Sequence, residues 1–555
     1  MIGSAVFEAS WHKFVEQLCL YPANYSPTSV NQIMIRTKIF SYPRLQIIKC
    51  THFAKNSVQQ RRNFSNLADW ETVIGLEIHA HVVAKQKLFS NATCVSSVQA
   101  HPNTKVDLMD AAFPGSLPVL NRECVVQAVR AGLALGGKVN NCSYFDRKHY
   151  FYCDLPHGFQ ITQYYTPVVQ GGELSIETEG AQQKTIRLSH IQLEIDSGKS
   201  SHDQHMDYTL VDLNRAGVGM LEIVTQPDMR SPSEAASFVS KLQELLKHLG
   251  VCNANMDEGE FRCDVNVSLK KKGPENPLGT RCEIKNLNSI RYLVKAIEYE
   301  VKRQSAILLE GGVVEKQTRS YDAVNNITIA ARKKEDDVDY RFMPEPDLPP
   351  IIIDQNEVEQ IGSNLPDLPD TIRKKLVAEM ELTVSQADLL MSNKALDYFY
   401  QVQAGSRSPK IVATWIVNEL FGLLNESGKR FQDNTISSRN LGKMLDLINT
   451  GYISGRVGKD VLREMFQGDN RDPKAIVDEK GWTQTSDEDL ISTLCDKLLA
   501  ENPKEVIKYK VQKKDRVLRF FVGEVMKVTK GKANPQKVME IVQTKLQNIQ
   551  VPEEQ

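Results

Sequence analysis

Period-two alternation of apolar and polar residues dominates the first half of the chain. From Glu71 to about Asp354, short alternating stretches are broken by Gly, Pro and Asn, the pattern of strands with a few inserted helices. In the clearest of them, Arg262, Asp264, Asn266 and Ser268 alternate with Cys263, Val265, Val267 and Leu269. Successive strand side chains point to opposite faces, so this segment predicts one polar surface and one core surface. After Asn288 and Ser289, which suit a helix cap, Ile290, Leu293, Val294, Ile297 and Val301 recur at helical spacing until Gly311 and Gly312. The proline-rich, acidic run Pro344 to Pro350 predicts a hinge, because proline fixes φ and keeps the residue before it out of helical geometry. Beyond it the pattern is mostly helical, as in Ser385 to Val402 and Pro409 to Leu424, with polar connections around Gly428 and from Gly455 to Gly458. The expected class is α+β: a sheet-rich body over 66–355, a helical connector over 356–401 and a helical tail module over 402–553.

Candidate chemistry sits on two of the predicted strands. Val73 to Val83 is rich in β-branched residues and carries Glu77, His79 and His81 two apart, so all three project from one face. His190, Gln192, Glu194 and Asp196 repeat the arrangement before Ser197, Gly198 and Lys199. Taken as neighbouring strands, the two acidic edges would share one divalent ion. Carboxylates suit Mg²⁺, the usual companion of transferred phosphates. The plain alternative for either strand is a solvated polar sheet face. Asp146-Arg147-Lys148-His149-Tyr150-Phe151-Tyr152 interleaves cations with rings, a chemistry suited to phosphates and stacked bases, although such runs also serve as ordinary core. Gly198-Lys199-Ser200 ends like a P-loop, but Leu193 stands where its first glycine belongs, so a P-loop is rejected. There is no GxSxG elbow and no cysteine in a recognisable glutaminase or amidase setting, so ammonia release from glutamine is not expected of this chain.

Composition changes this picture in four places. With 555 residues, 41% of them hydrophobic and 25% charged, the chain can bury several cores, and no stretch has the ~18 consecutive apolar residues of a membrane helix. Membrane insertion is therefore not expected. The net charge of -1 hides a basic end: residues 501–550 hold twelve Lys or Arg against five Asp or Glu, a surface on which a polyanion can sit. Ten cysteines without a CxxC pair predict reduced thiols rather than a disulfide framework or a zinc ribbon. At the other end no Asp or Glu occurs from Gln17 to Ala68, while Arg36, Lys38, Arg44, Lys49, Lys55, Arg61 and Arg62 punctuate a Ser- and Asn-rich stretch. That is the composition of a mitochondrial transit peptide, expected over 1–65 with matrix localisation, against the alternative of a basic tail with no address.

Taken in order, the segments resemble the B subunit of the aspartyl/glutamyl-tRNA amidotransferases (GatB) in its mitochondrial form. The resemblance runs from Glu71-Thr72-Val73-Ile74-Gly75-Leu76-Glu77-Ile78-His79 through Asp146-Arg147-Lys148, Phe159-Gln160-Ile161 and Val211-Asp212-Leu213-Asn214-Arg215-Ala216-Gly217. It continues through Leu221-Glu222-Ile223-Val224, Arg262-Cys263-Asp264-Val265-Asn266-Val267-Ser268, Glu283-Ile284-Lys285-Asn286-Leu287-Asn288-Ser289 and Asp339-Tyr340-Arg341. It ends at Val522-Gly523-Glu524-Val525-Met526 with Lys530-Gly531-Lys532-Ala533-Asn534-Pro535, so that it covers residues 71 to about 550. The resemblance implies an ATP-dependent ligase component that phosphorylates the glutamate of misacylated Glu-tRNA(Gln) and amidates it. Ammonia would come from the A-type glutaminase partner, in a heterotrimer braced by the small C-type partner. It implies Mg²⁺ at Glu77, His79 and Glu194 with Asp196 close by, the first three also catalytic. It places Arg147, Lys148, Arg215, Arg262 and Lys285 near ATP or the tRNA acceptor end, and gives Lys527, Lys530 and Lys532 to a tRNA-binding tail.

The chain departs from the family pattern at several places. Ser90, Ala92, Asp107 and Asp110 stand where many relatives carry four zinc-binding cysteines, so no structural zinc is expected. Glu194-Ile195 replaces a pair of glutamates, Gln192 replaces a histidine, and His149 and His157 replace the common Asn and Lys. Two other readings remain: a non-catalytic tRNA-binding scaffold of the same complex, and a free-standing aminoacyl-tRNA synthetase, which lacks a recognisable ATP motif.

Overall fold

The computed structural model describes residues 69–94, 100–180, 182–202, 207–331, 339–405, 407–483, 488–512, 515–529, 533 and 535–548. The expected 1–65 leader, Lys530 and Lys532 lie outside the described residues.

The body is built on a mixed ten-stranded sheet. Its long strands are β1 (Trp70–His81), β4 (Gln183–Ile195), β5 (Gly219–Thr225), β6 (Phe261–Lys271), β7 (Cys282–Leu287), β8 (Gln317–Asp322) and β9 (Ile327–Ala330). They lie in the spatial order β9-β8-β7-β6-β1-β5-β4, continued by the short strands Val169–Gln170 and Lys138–Val139. The labels β2 and β3 belong to a separate small sheet, in which Met343–Pro344 pairs with β2 (Asp146–His149) and β2 with β3 (Phe159–Thr162). Pairing in the large sheet is antiparallel except between β7 and β8, which are parallel and joined by a helix, the crossover that parallel neighbours require.

Helices α1 (Arg122–Ala134), α2 (Pro232–His248) and α3 (Ile290–Leu309) pack on the body, as does Gln355–Ser363 through Val358. Ser231 caps α2 by accepting from the Glu234 backbone, with Pro232 at the first turn. The α3 span fits the expected spacing: Leu293 and Ile297 are buried, and Gly311 ends it at φ +79, a backbone state that costs any other residue more. Leu76, Ile78, Val265, Val267 and Ile284 from the sheet share one core with Phe238, Leu242, Leu293 and Ile297 from α2 and α3. Because alternation sends Glu77, His79, Arg262 and Asp264 the other way, the opposite face is polar, and the small sheet is tied to it. Gln192 donates to Thr162 (3.1 Å), Gln160 donates to the Ile195 carbonyl (2.7 Å), and the Leu193 amide donates to Gln163 (3.0 Å).

The linker reading needs correction. The Pro344 to Pro350 run is pinned to the body rather than hinged: buried Glu345 accepts two bonds from Arg147 (2.8 and 2.9 Å), and Ile351–Ile352 pairs with Cys142–Ser143. Leu365 and Leu368 still pack on the body core. The boundary drawn between 401 and 402 falls inside a second core that runs from Leu376 to Val477 and contains both Phe399 and Val402. A third core, Ile491 to Leu546, belongs to the last four helices. The predicted helix 385–402 is two, Val384–Ser392 and Leu396–Gln403, because Lys394 takes φ +55 and closes the first. The 409–424 stretch stays helical through one π turn at Trp415–Leu420. Among the described residues no helix is long and apolar enough to cross a membrane.

Two buried ion pairs cross-link the body. Fully buried Lys87 donates to Asp110 (2.8 Å) and to the Leu213 carbonyl (3.4 Å), and Asp110 also accepts the Asp107 amide (2.9 Å). Gly217, at φ +82, is glycine for want of room, since a Cβ would sit 2.4 Å from Asp110 Oδ1. On α3, buried Glu300 meets Arg303 (2.6 Å) and Arg319 (3.3 Å) and accepts from Gln304 (2.8 Å) and Thr328 (3.1 Å), fastening the helix to β8 and β9. Burial opposes ionisation of Glu300, but Arg303, Gln304 and Arg319 outweigh it and hold the carboxyl below its ordinary 4.5.

Lys87→Met, which strands a buried carboxylate, is expected to cost about 3–5 kcal/mol in urea unfolding, while Lys87→Met/Asp110→Leu recovers most of the loss. A single variant as stable as the parent contradicts the cross-link. Glu300→Gln is expected to cost about 3 kcal/mol at pH 7. A depressed folded-state pKa stabilises above the unfolded value and fades as pH falls through the folded one, so the gap between parent and variant should narrow below pH 4.5. Urea melts at neutral and acid pH read that difference, and a gap independent of pH refutes the charged role.

Candidate metal and substrate site

The polar face of the sheet assembles the site by register. β1 and β4 are not adjacent, as the sequence pattern had suggested; β5 lies between and supplies an acid of its own. His79 stands opposite Glu222, and Glu222 opposite Gln192. One row along, His81 faces Met220 and Met220 faces Glu194. The ligand atoms of His79, Glu194 and Glu222 all lie within 4.8 Å of one another. Glu222 lay within a family-like segment without a role. Its signal was a lone carboxylate in the otherwise apolar strand Gly219–Thr225.

The charges are set against one another. Lys148, on β2, reaches both oxygens of Glu194 at 3.3 Å. Burial pushes the Glu194 carboxyl above its ordinary range; Lys148 pulls it down and neighbouring Glu222 pushes it further up. For Glu222 burial also opposes ionisation, but His79, Lys148 and His190 overcome it and the carboxyl is lowered. Gln192 donates to Glu222 (2.8 Å) and steadies it. Burial disfavours the Lys148 ammonium, yet Glu194 and Glu222 raise its pKa, so it stays charged. Two carboxylates and an imidazole crowded toward one point are a donor set that a divalent cation relieves. The oxygens suit Mg²⁺, and the imidazole extends the range to Mn²⁺ and its neighbours.

Glu77 and Asp196 stand beside this triad rather than in it. Glu77 accepts from Asn266 (3.0 Å), and burial, then Glu222 and Glu283, raise its carboxyl. Asp196 Oδ2 is taken by His81 (2.7 Å), Arg262 (2.9 Å) and Arg215 (3.2 Å), and its Oδ1 accepts the Ser197 amide (2.8 Å). Burial opposes its charge, but Arg262, Arg215 and His81 hold it ionised far below the ordinary range. With its oxygens so engaged, Asp196 anchors two arginines at the rim of the triad.

Of the five cations named from sequence, Lys148 alone touches the triad. Arg215 and Arg262 meet at Asp196, and Arg215 also donates to the Gly198 carbonyl (2.6 Å). Lys285 lies between Asp264 (3.2 Å) and Glu283 (2.7 Å). Arg147 turns away to Glu345 and Asp347 and stacks over Phe159 at 4.3 Å. Lys527 is exposed at the end of Asp515–Val528, 3.7 Å from Glu524.

Known proteins are similar to this chain over most of its length. Residues 72–359 match the GatB/GatE catalytic domain and residues 397–546 the GatB domain. The B subunit of aspartyl/glutamyl-tRNA(Asn/Gln) amidotransferase from Rickettsia felis is 45% identical over 481 residues, covering 87% of this chain and 98% of the relative. Its counterpart of the same name from Bartonella tribocorum is 46% identical over 484 residues, covering 86% and 95%. With both domain models matched in order and identity sustained across nearly the full relatives, the chain belongs to the GatB family of aspartyl/glutamyl-tRNA amidotransferase subunits, components of carbon–nitrogen ligases that take glutamine as amido donor.

Proposed function

We propose that this chain is the ATP-dependent component that activates and amidates the glutamate of Glu-tRNA(Gln), in a mitochondrial heterotrimer with the A-type glutaminase and the small C-type partner. The observation that carries the reading is the triad of half-buried His79, buried Glu194 and half-buried Glu222, with Lys148 against it. A carboxylate is a poor acyl donor. Attack of its oxygen on the γ-phosphorus of ATP expels ADP and leaves an acyl phosphate. Ammonia, supplied by the glutaminase partner, then attacks the acyl carbon, and phosphate departs with the former carboxylate oxygen, leaving glutaminyl-tRNA.

His79, Glu194 and Glu222 would hold Mg²⁺, which when bound offsets phosphate charge and orients the phosphates. Lys148 keeps a positive charge at the rim of the triad, where the transferring phosphoryl group brings negative charge. Arg215 and Arg262, fixed by Asp196, add positive potential without needing to move. The basic helical module from Glu488 onward fits the body of the tRNA, since its surplus of cations suits a phosphate backbone. The acid-free, basic stretch from Gln17 to Ala68 supports matrix targeting. The scaffold reading finds no support in a site where two acids and an imidazole converge on one point.

Glu222→Gln in the reconstituted heterotrimer is expected to lower Gln-tRNA formation at least ~100-fold while Glu-tRNA binding persists, because the change removes one charge and little volume. Amidation at the parent rate would sink the triad as the reacting centre. Removal of residues 488–555 should instead weaken Glu-tRNA binding and flatten its dependence on salt. An unchanged salt slope would take the tail out of tRNA binding.

A further inference from the structure

A continuous row of aromatic rings passes the triad along the small sheet and has no part in the chemistry described above. From Tyr152 the ring centroids step to Tyr150 (5.6 Å), Tyr340 (6.1 Å), Phe342 (5.9 Å), Tyr164 (3.9 Å, stacked) and Tyr165 (5.0 Å). Tyr152, Tyr164 and Tyr165 are 51%, 54% and 61% exposed, where aromatic residues of a packed body would normally be covered. The row touches the reacting centre at its middle: Lys148 Nζ is 3.3 Å from Glu194 and 5.5 Å from the centre of the Tyr340 ring. Arg341, with its side chain 82% exposed, sits between the two ring-bearing residues Tyr340 and Phe342.

We infer that this row is the platform on which the unpaired 3′-terminal adenosine of the charged tRNA stacks, setting the ester-linked glutamate over the triad. The inference rests on the functional reading above and adds the residues that hold the acceptor end. Exposed rings in series with cations beside them are what single-stranded nucleic acid requires: π faces for bases, positive charge for the intervening phosphates. A protein partner would be met by a broad aliphatic surface, whereas here the exposed apolar surface is mostly rings, with Met343 beside Phe342. The adenine of ATP is the rival occupant of like chemistry. The row, however, continues from Tyr340, where it meets the triad, through Phe342 and Tyr164 to exposed Tyr165, a length suited to a strand end approaching from solvent.

The test uses the reconstituted heterotrimer with Tyr164→Ala, Phe342→Ala and their double variant. We expect KM for Glu-tRNA to rise about tenfold with one lost stack, with KM for ATP and the salt slope unchanged, and Tyr164→Phe to recover most of that rise. As a readout independent of turnover, tRNA carrying 2-aminopurine in place of its 3′-terminal adenine should lose fluorescence on binding the parent and keep it on binding the double variant. A rise in KM for ATP instead assigns the row to the nucleotide and overturns the inference. Parent-like KM values and equal quenching overturn it as well, and give the rings to a protein neighbour. Quenching by the parent without any Gln-tRNA formation would uphold the platform while removing the amidating reading, so the two fail separately.

Discussion

The site depends on holding two carboxylates close together inside a protein. Glu194 and Glu222 cannot both be charged in that space without partners nearby, and the fold supplies partners from two directions. His79 arrives on the neighbouring strand of the same sheet, Lys148 on a second sheet laid across it. The strand register and the cross-sheet bonds of Gln160, Gln163 and Gln192 therefore do electrostatic as well as structural work. Moving the small sheet by a residue would withdraw the ammonium from Glu194.

The polar face repeats that solution at decreasing depth. Asp196 gathers His81, Arg215 and Arg262 onto one oxygen, and Lys285 sits between Asp264 and Glu283. Each cation named from sequence on this face is already paired with an acid, which keeps a heavily charged surface close to neutral and prevents its collapse. A substrate carrying phosphates thus meets positive groups whose orientation is fixed before it arrives.

Much of the body was legible because alternation is a local signal. The polar set of β6 and the apolar stripe of α3 appear in the structure where spacing put them, and Gly311 ends the helix as its backbone freedom suggests. Which strands adjoin is a long-range matter. The insertion of β5 between β1 and β4 could not be read from either strand, and it replaced an expected partnership of Glu77 with Glu194 by one of Glu222 with Glu194. The proline run misled for a related reason: proline reports backbone geometry, whereas Arg147, far away in sequence, decides that this stretch is held. The 401/402 boundary falls within one core because Phe399 and Val402 are apolar on a helix, and only packing says which core receives them.

The clasp between Arg147 and Glu345 joins residues 198 apart in the chain. Everything beyond Tyr340 that closes over the site belongs to the last stretch of the body to leave the ribosome, after every strand of the large sheet has emerged. The large sheet can therefore assemble while the reacting face lies open. Competence arrives only as the final segment docks, so a nascent or truncated body would fold around its core yet remain chemically silent.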